Sequence, residues 1–562
     1  MIVRIFKKRK RQNMMVEPDE IFLDSKNIQN FDRQQFEGRI EKPITKKTIG
    51  VLGIICGSLI LIFFIRLGYL QIASGNAYYN RSENNILEKS LIFADRGIIY
   101  DRNKVELVWN KDEEDGFRMR AYKTPGFSHL LGYVSYPAKD KSGNYWQTEF
   151  VGKDGLEKQY NDVVKGENGS KIIEVDAHDS VHSENIVNAP ARGQDLVTTV
   201  DAKVQGELFS IIKNLADNFS FSGGAGVIMN VQNGEVLAST SYPEYNSETL
   251  SLGKDSAVIS GYNTDKRKVY LDRTISGLYT PGSIVKPFVA LGALAENIID
   301  PKKQILSTGS ISIPNPFLPG QKTVFKDWRA NGWTDMRQAI AVSSDVYFYS
   351  IGGGYQDQKG LGILNIEKYA RLFGLGTETG VDLPDETNGT IPTPEWKLKN
   401  FNGDAWRIGD TYHTAIGQYG FQVTPMEMAR AAGAIANSGT LMTPHFILND
   451  KTMEGKTTAI DMNKEYFQIV REGMRQAVTA GTASALNVPY VNVAVKTGTA
   501  QVGALKNKVN SWVMGFLPYE NPKYAFTIMM ESGPTTNSVN ASTVMRQLLD
   551  WMSVNTPEYF QS

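Results

Sequence analysis

The segment Pro281-Gly282-Ser283-Ile284-Val285-Lys286 opens an apolar stretch with helical periodicity. Residues three apart on a helix share a face, so the Ser283 hydroxyl and the Lys286 amine are expected side by side. A serine hydroxyl is a poor nucleophile unless a base takes its proton. A lysine of ordinary pKa, ~10.4, is neutral in only about 1 molecule in 2,500 at pH 7. Making it a base costs roughly 4–5 kcal/mol, which burial and a second nearby cation supply by lowering the pKa ~3–5 units. Taken alone, Ser-x-x-Lys is also what a surface helix shows.

Two further motifs lie downstream. Ser343-Ser344-Asp345 precedes the apolar run Val346-Tyr347-Phe348-Tyr349. A hydroxyl there can relay a proton between a lysine and a leaving amine, and a carboxylate can hold the lysine; a helix start with N-capping serines fits equally well. Val495-Lys496-Thr497-Gly498-Thr499 closes an expected strand. A lysine with two hydroxyls makes a socket for a carboxylate, and Gly498 admits close backbone approach. Ser-x-x-Lys, a serine motif of the Ser-Asp-Asn type and Lys-Thr-Gly together form the motif set of penicillin-binding proteins and class A β-lactamases. Their joint occurrence in this order carries far more weight than any one of them.

Around these motifs the pattern is α+β. Gln205–Asn218 is amphipathic, with Leu208, Ile211, Ile212 and Leu215 on one face. Gly226–Met229 and Gly234–Ala238 read as strands about a turn at Gln232-Asn233-Gly234. Thr424-Pro425-Met426-Glu427 is a capping box with proline in the first turn, opening a helix that stops near Asn437-Ser438-Gly439. Val491–Lys496, Ser511–Phe516 and Tyr524–Met530 read as hairpin-connected strands, with a helix following near Ser542–Met552. Antiparallel strands mixed with helices define an α+β domain, expected over 201–562. Residues 67–200 are irregular, with short alternating runs such as Lys171-Ile172-Ile173-Glu174-Val175, and read as a mainly β pedestal.

The chain has 562 residues, enough for two to four domains. Its 60 basic and 60 acidic residues cancel and give no reason to expect nucleic acid. The balance conceals a polarity: residues 1–47 carry 12 Lys/Arg against 7 Asp/Glu, and 67–562 carry 47 against 53. Between them, Thr48 to Ile65 holds no charge. Eighteen helical residues span ~27 Å against a hydrocarbon core of ~30 Å. A single transmembrane helix is expected over 48–66, with the basic tail 1–47 cytoplasmic and the rest outside. A cleaved signal peptide fits less well, because the run starts late and no small-x-small site follows. The one cysteine, Cys56, falls within the span, so no disulfide framework is expected outside it.

The sequence resembles a class B penicillin-binding protein, a monofunctional peptidoglycan D,D-transpeptidase of the cell-elongation type. Besides the three motifs, the resemblance rests on Asp95-Arg96-Gly97-Ile98-Ile99-Tyr100-Asp101-Arg102-Asn103, Gly155-Leu156-Glu157-Lys158-Gln159-Tyr160 and Gly193–Asp201. It includes Gly374-Leu375-Gly376, Val381-Asp382-Leu383-Pro384, Ala415-Ile416-Gly417-Gln418, and Asp345 where many members carry Asn. The resemblance implies a penicillin-binding fold in which an antiparallel sheet is flanked by helices. Ser283 would attack the penultimate D-alanine carbonyl of a stem peptide and Lys286 would take its proton. Ser343 would deliver that proton to the leaving D-alanine. Lys496, Thr497 and Thr499 would hold the terminal carboxylate, Gly498 would let the substrate backbone approach closely, and Asp345 would orient Lys286. The backbone N–H groups of Ser283 and Thr499 would bind the oxyanion. No cofactor is expected. The implied partners are peptidoglycan stem peptides, β-lactams, and a membrane-embedded glycosyltransferase with the elongation machinery, since no segment is left for a polymerising domain. One departure is the head: only about thirty residues separate Asn103 from Gly132-Tyr133-Val134, fewer than the family usually has where relatives contact morphogenetic partners.

Competing readings are a D,D-carboxypeptidase or β-lactam hydrolase, which uses the same motifs with water as acceptor, and a β-lactam-sensing receptor. The receptor would carry more membrane helices and a cytoplasmic effector than a 47-residue tail offers. Asp176, His178 and His182 have metal-like spacing, but the run reads as a turn, and no metal is expected. Glu395-Trp396-Lys397 faintly resembles a deacylating glutamate loop with its spacing off by one; it reads as a helix start after Pro394.

Overall fold

The uncharged run forms helix α1 (Lys46–Gly68), capped where Thr48 N–H donates to the Thr45 hydroxyl at 3.3 Å. A π-helical turn, Tyr69–Ala73, carries it on to 28 residues, long and apolar enough to cross a bilayer, and none of its side chains is buried. The computed structural model describes residues 45–114, 116–175, 181–449, 452, 455–503 and 507–561. Asp176 and His178 lie outside the described residues. The chain divides into two units: α1 and the residues to Glu88, with Glu174 and Val175, belong to one, and 89–173 with 181–562 to the other.

In the larger unit, α2 (Ala202–Asn218) starts at Asp201, whose carboxylate accepts from Lys203 N and Val204 N. β1 (Gly223–Asn230) and β2 (Val236–Tyr242) pair as a hairpin. Far along the chain come β3 (Ala494–Val502), β4 (Lys508–Leu517) and β5 (Tyr524–Pro534). The sheet runs β2-β1-β5-β4-β3, antiparallel throughout, with the Lys-Thr-Gly strand at its edge.

Alternate residues of the central strands enter different cores, as the two-residue repeat of a strand requires. Val513, Phe526 and Ile528 pack with Leu208, Ile212, Val544 and Leu548, from α2 and the C-terminal helix over Ala541–Asn555. Met514, Phe516, Ala525 and Met529 pack with Phe288, Ala432, Ile435 and Met474 on the opposite face. The helix over Pro425–Ala436 has the expected capping box: Glu427 N–H donates to the Thr424 hydroxyl, and Thr424 N–H to Glu427.

Before α2, Ile99–Tyr100, Glu106–Glu114 and Phe117–Tyr122 join Leu196–Val197 in a four-stranded sheet. The short segment after Asn103 is thus mostly one hairpin. Gly97 is required here, since a Cβ would lie 1.8 Å from the Gln194 carbonyl oxygen. At the centre Glu157 is fully buried between two guanidiniums, Arg96 Nη2 at 2.5 Å and Arg120 Nη2 at 2.7 Å. Burial pushes its carboxyl up, but Arg120 and Arg96 together hold it below the usual range.

Removing one member of such a cluster leaves buried charge uncompensated, at a cost of about 3–5 kcal/mol. Glu157→Ala should lower stability by that amount in denaturant unfolding of the detergent-purified chain. A loss below ~1 kcal/mol would contradict this role for the cluster.

Candidate active site

Ser283 sits in a 3₁₀ turn, Gly282–Val285, that feeds α3 (Lys286–Ala295). In a 3₁₀ turn residues three apart are eclipsed, so Ser283 and Lys286 lie in line on one face of the turn. The turn is pinned from two sides. Gly282 N–H donates to Gly417 O at 2.9 Å, and the Trp512 indole N–H donates to Thr280 O at 3.0 Å. Gly498 of β3 faces this turn: a Cβ there would lie 2.8 Å from Pro281 O and 2.9 Å from Ile284 Cγ2. A side chain at this position would collide with the turn that bears Ser283, and Gly498 also lines the cleft beside it.

Ser343 joins α4 (Met336–Ala341) to α5 (Asp345–Gly353). The link is a Schellman cap: Ser344 N–H donates to Ala339 O at 3.0 Å and Ser343 N–H to Ile340 O at 3.3 Å. Its left-handed position, usually glycine, is Ser343 at φ 58°. A non-glycine residue there costs on the order of 1–3 kcal/mol, and the hydroxyl it supplies lies at the centre of the site. Ser344 N-caps α5, so the capping reading and the chemical reading of this motif hold together.

All eight residues singled out in the sequence converge. Ser283, Ser343, Asp345, Thr497, Gly498 and Thr499 line one cleft of about 480 Å³. Lys286 and Lys496 are fully buried. Lys286 Nζ donates to Ser343 O (2.8 Å), Ser343 Oγ (3.3 Å) and Asp345 Oδ1 (2.6 Å). Among the described residues its hydrogen bonds go to these two residues and not to Ser283. Lys496 Nζ reaches the same hydroxyl from the other side, 2.8 Å from Ser343 Oγ, and donates also to Thr497 O. Burial first, and the charge of Lys286 second, push the Lys496 amine well below the ordinary lysine value, with Asp345 opposing.

Two cleft residues escaped the sequence reading. Thr482 shares a 2.7 Å hydrogen bond with the Thr497 hydroxyl and so extends the carboxylate socket. Trp328 walls the cleft with its indole N–H on Val342 O at 3.1 Å. Neither lies in a recognisable motif. Glu395 is exposed on a short helix over Pro394–Asn400, capped by Thr393, and is not part of the cleft. Asp345 is the one carboxylate lining the cleft among the described residues, and Lys286 occupies it.

A half-buried serine at a turn, two buried lysines about a second hydroxyl, and an edge strand bearing Lys-Thr-Gly define a serine acyltransferase of the Ser-x-x-Lys class. The family model for the penicillin-binding protein transpeptidase domain matches residues 224–550, and that for the penicillin-binding protein dimerisation domain matches 117–198. The chain belongs to the penicillin-binding protein transpeptidase family. Peptidoglycan D,D-transpeptidase MrdA of Haemophilus influenzae is 30% identical over 462 residues, covering 75% of this chain and 67% of the relative. The protein of the same name from Acinetobacter baumannii is 27% identical over 603 residues, covering 89% and 86%. Among solved structures, PBP2 in complex with MreC from Helicobacter pylori superposes with a TM-score of 0.69 at 28% identity, covering 84% of this chain and 99% of that one. PBP2 of Pseudomonas aeruginosa in complex with WCK 5153 gives 0.69 at 28% identity, covering 83% and 97%.

The depressed Lys496 amine makes stability depend on pH. Folded chains bind fewer protons than unfolded ones between the lowered folded pKa and the unfolded value of ~10.4, so the penalty is full below that interval and fades as pH rises through it. Wild-type stability relative to Lys496→Met should therefore rise with pH. Paired melting curves from pH 6 to 9.5 measure this; a flat or falling difference would contradict a buried, depressed Lys496.

Proposed function

We propose that this chain is the peptidoglycan D,D-transpeptidase of cell-wall elongation, with Ser283 as the acylated nucleophile. The observation that carries the reading is the shared hydroxyl: Ser343 Oγ lies within hydrogen-bond reach of both Lys286 and Lys496, on the cleft that also holds Ser283. Ser283 Oγ attacks the carbonyl of the penultimate D-alanine and Lys286 takes the hydroxyl proton. The amine's three outward positions go to Asp345 Oδ1, Ser343 O and, at the longest distance, Ser343 Oγ; the proton transfer uses the neutral amine, with the Ser283 hydroxyl taking the place of the Ser343 Oγ contact. The first turn of a helix has N–H groups without intrahelical partners. Ser283 N–H, with Thr499 N–H on the facing edge strand, supplies the oxyanion donors, an arrangement that contributes ~3–4 kcal/mol.

Collapse of the tetrahedral intermediate expels D-alanine, whose amine takes the proton through Ser343. Thr497, Thr499 and the Lys496 end of β3 hold the terminal carboxylate, with Thr482 supporting Thr497. The amine of a second stem then attacks the acyl-enzyme, releasing Ser283 and forming the cross-link. β-Lactams enter the same path because their strained amide and carboxylate resemble the D-alanyl-D-alanine end.

In the organisation proposed, 1–47 is a cytoplasmic tail, 48–66 the membrane span, 67–200 the pedestal and 201–562 the transpeptidase domain. The lysines and arginines gathered in the short segment before α1 support this orientation. The partners proposed are a membrane-embedded glycosyltransferase and other elongation proteins. The relative solved in complex with MreC, at 28% identity, supports a protein partner of this kind and does not bear on the glycosyltransferase.

A fluorescent penicillin incubated with the purified chain should label Ser283, with the adduct located in the peptic fragment around Pro281–Pro287 by mass spectrometry. Lys286→Arg should abolish labelling although it keeps the charge, because an arginine of pKa above ~12 cannot act as the base. Label on another residue would refute the nucleophile assignment, and a Lys286→Arg rate within threefold of wild type would refute the base assignment.

A further inference from the structure

Behind the serine motif lies a second polar cluster that no step above uses. Asp327 is buried, and its Oδ2 accepts from the Ser344 hydroxyl (2.8 Å), the Ser307 hydroxyl (3.0 Å), Val346 N–H (3.1 Å) and the Asn331 amide (3.1 Å). Its Oδ1 accepts from Trp328 N–H at 2.9 Å. Ser307 and Ser344 are themselves 1% and 0% exposed, so these donors have no water to turn to. A buried hydroxyl or N–H deprived of its acceptor pays its full desolvation cost, which makes such a cluster stiff.

The position of the contacts gives the cluster its meaning. Asp327 holds residues 344 and 346, whereas residues 343 and 345 face the lysines. Successive residues at the start of α5 thus divide between a buried anchor and the reacting centre. Ser343 occupies a left-handed conformation that a serine adopts only where its surroundings dictate it. The Schellman bonds to Ala339 and Ile340 hold its approach from α4, and the Asp327 contacts hold its departure into α5. An acidic side chain at this helix start also complements the partial positive charge there. Asp327 does not line the cleft, so it acts through the backbone it grips.

We infer that Asp327 is a positioning residue for acylation: by anchoring Ser344 and Val346 it places the Ser343 hydroxyl between the two lysines and aims Asp345 at Lys286. Loss of the anchor leaves substrate recognition on β3 in place and slows the chemical step. The inference rests on the proposed acylation of Ser283.

Stopped-flow acylation of the full-length, detergent-purified chain by a fluorescent penicillin separates the dissociation constant of the initial complex from the first-order acylation constant. Asp327→Asn removes the charge and one of the two acceptor oxygens, so an N–H₂ group faces either Trp328 N–H or the four Oδ2 donors whichever way the amide turns. It should lower the acylation constant at least tenfold and leave the dissociation constant within threefold. Ser344→Ala breaks the same link from the other end and should do likewise. The double variant should be no more than about twofold slower than the slower single variant, because both changes remove one coupling. Each measurement is made well below the variant's own melting temperature, where a general loss of stability does not alter the rate of folded molecules. Folded Asp327→Asn acylating within threefold of wild type would overturn the inference, as would multiplicative effects in the double variant or a loss confined to the dissociation constant. If Asp327→Asn does not fold, Ser344→Ala decides alone by the same thresholds. A wild type that forms no Ser283 adduct would defeat the functional reading itself, a result distinct from all of these.

Discussion

Two lysine amines approach one buried serine hydroxyl, and the rest of the catalytic half of the molecule answers to that arrangement. Two ammonium groups so close, out of water, repel each other and each carries a desolvation cost. The site meets this in two unequal ways. Lys286 has a carboxylate at 2.6 Å and a carbonyl at 2.8 Å. Lys496 has a hydroxyl and its neighbour's carbonyl, and its amine is driven well below the ordinary lysine value by burial and by Lys286. The asymmetry follows from where Asp345 sits.

Holding that geometry takes three separate pieces of chain. The turn that bears Ser283 rests against an edge strand that has glycine at the point of contact. The serine motif is a helix cap in which a hydroxyl-bearing residue stands where glycine would be less strained. β3 itself is placed by β4, whose far neighbour β5 is gripped by β1. Of the three, the serine motif carries backbone strain, at Ser343, and the sheet that positions the edge strand is held between a core on each face.

Much of this was legible beforehand because the relevant signals are local. The capping box at Thr424 and Glu427, the amphipathic face of α2 and the spacing of the three motifs each lie within a few residues of one another. The edge of β3 was less legible. The run from Val491 reads as a strand because it is apolar, yet Val491 and Val493 enter the core from a loop, and the ladder begins at Ala494. Apolar content reports burial, not pairing. The ladder then continues through polar Thr497–Gln501 because an edge strand needs no apolar outer face. Thr482 and Trp328 were missed since each meets the site through one contact to a residue at least 14 positions away. Gly498 was read as room for substrate; its approach to Pro281, more than two hundred positions earlier in the chain, left no local signal.

In the proposed reaction this cleft passes an acyl group from Ser283 to an amine rather than to water. The cleft contains one carboxylate among the described residues, and that carboxylate is hydrogen-bonded to Lys286. The direct measurement is product analysis by mass spectrometry after the purified chain is incubated with a stem-pentapeptide donor and a competing amine such as a D-amino acid. The account predicts that the exchanged or cross-linked amide dominates and grows with amine concentration at the expense of the hydrolysed tetrapeptide. Predominant hydrolysis that added amine does not suppress would contradict it.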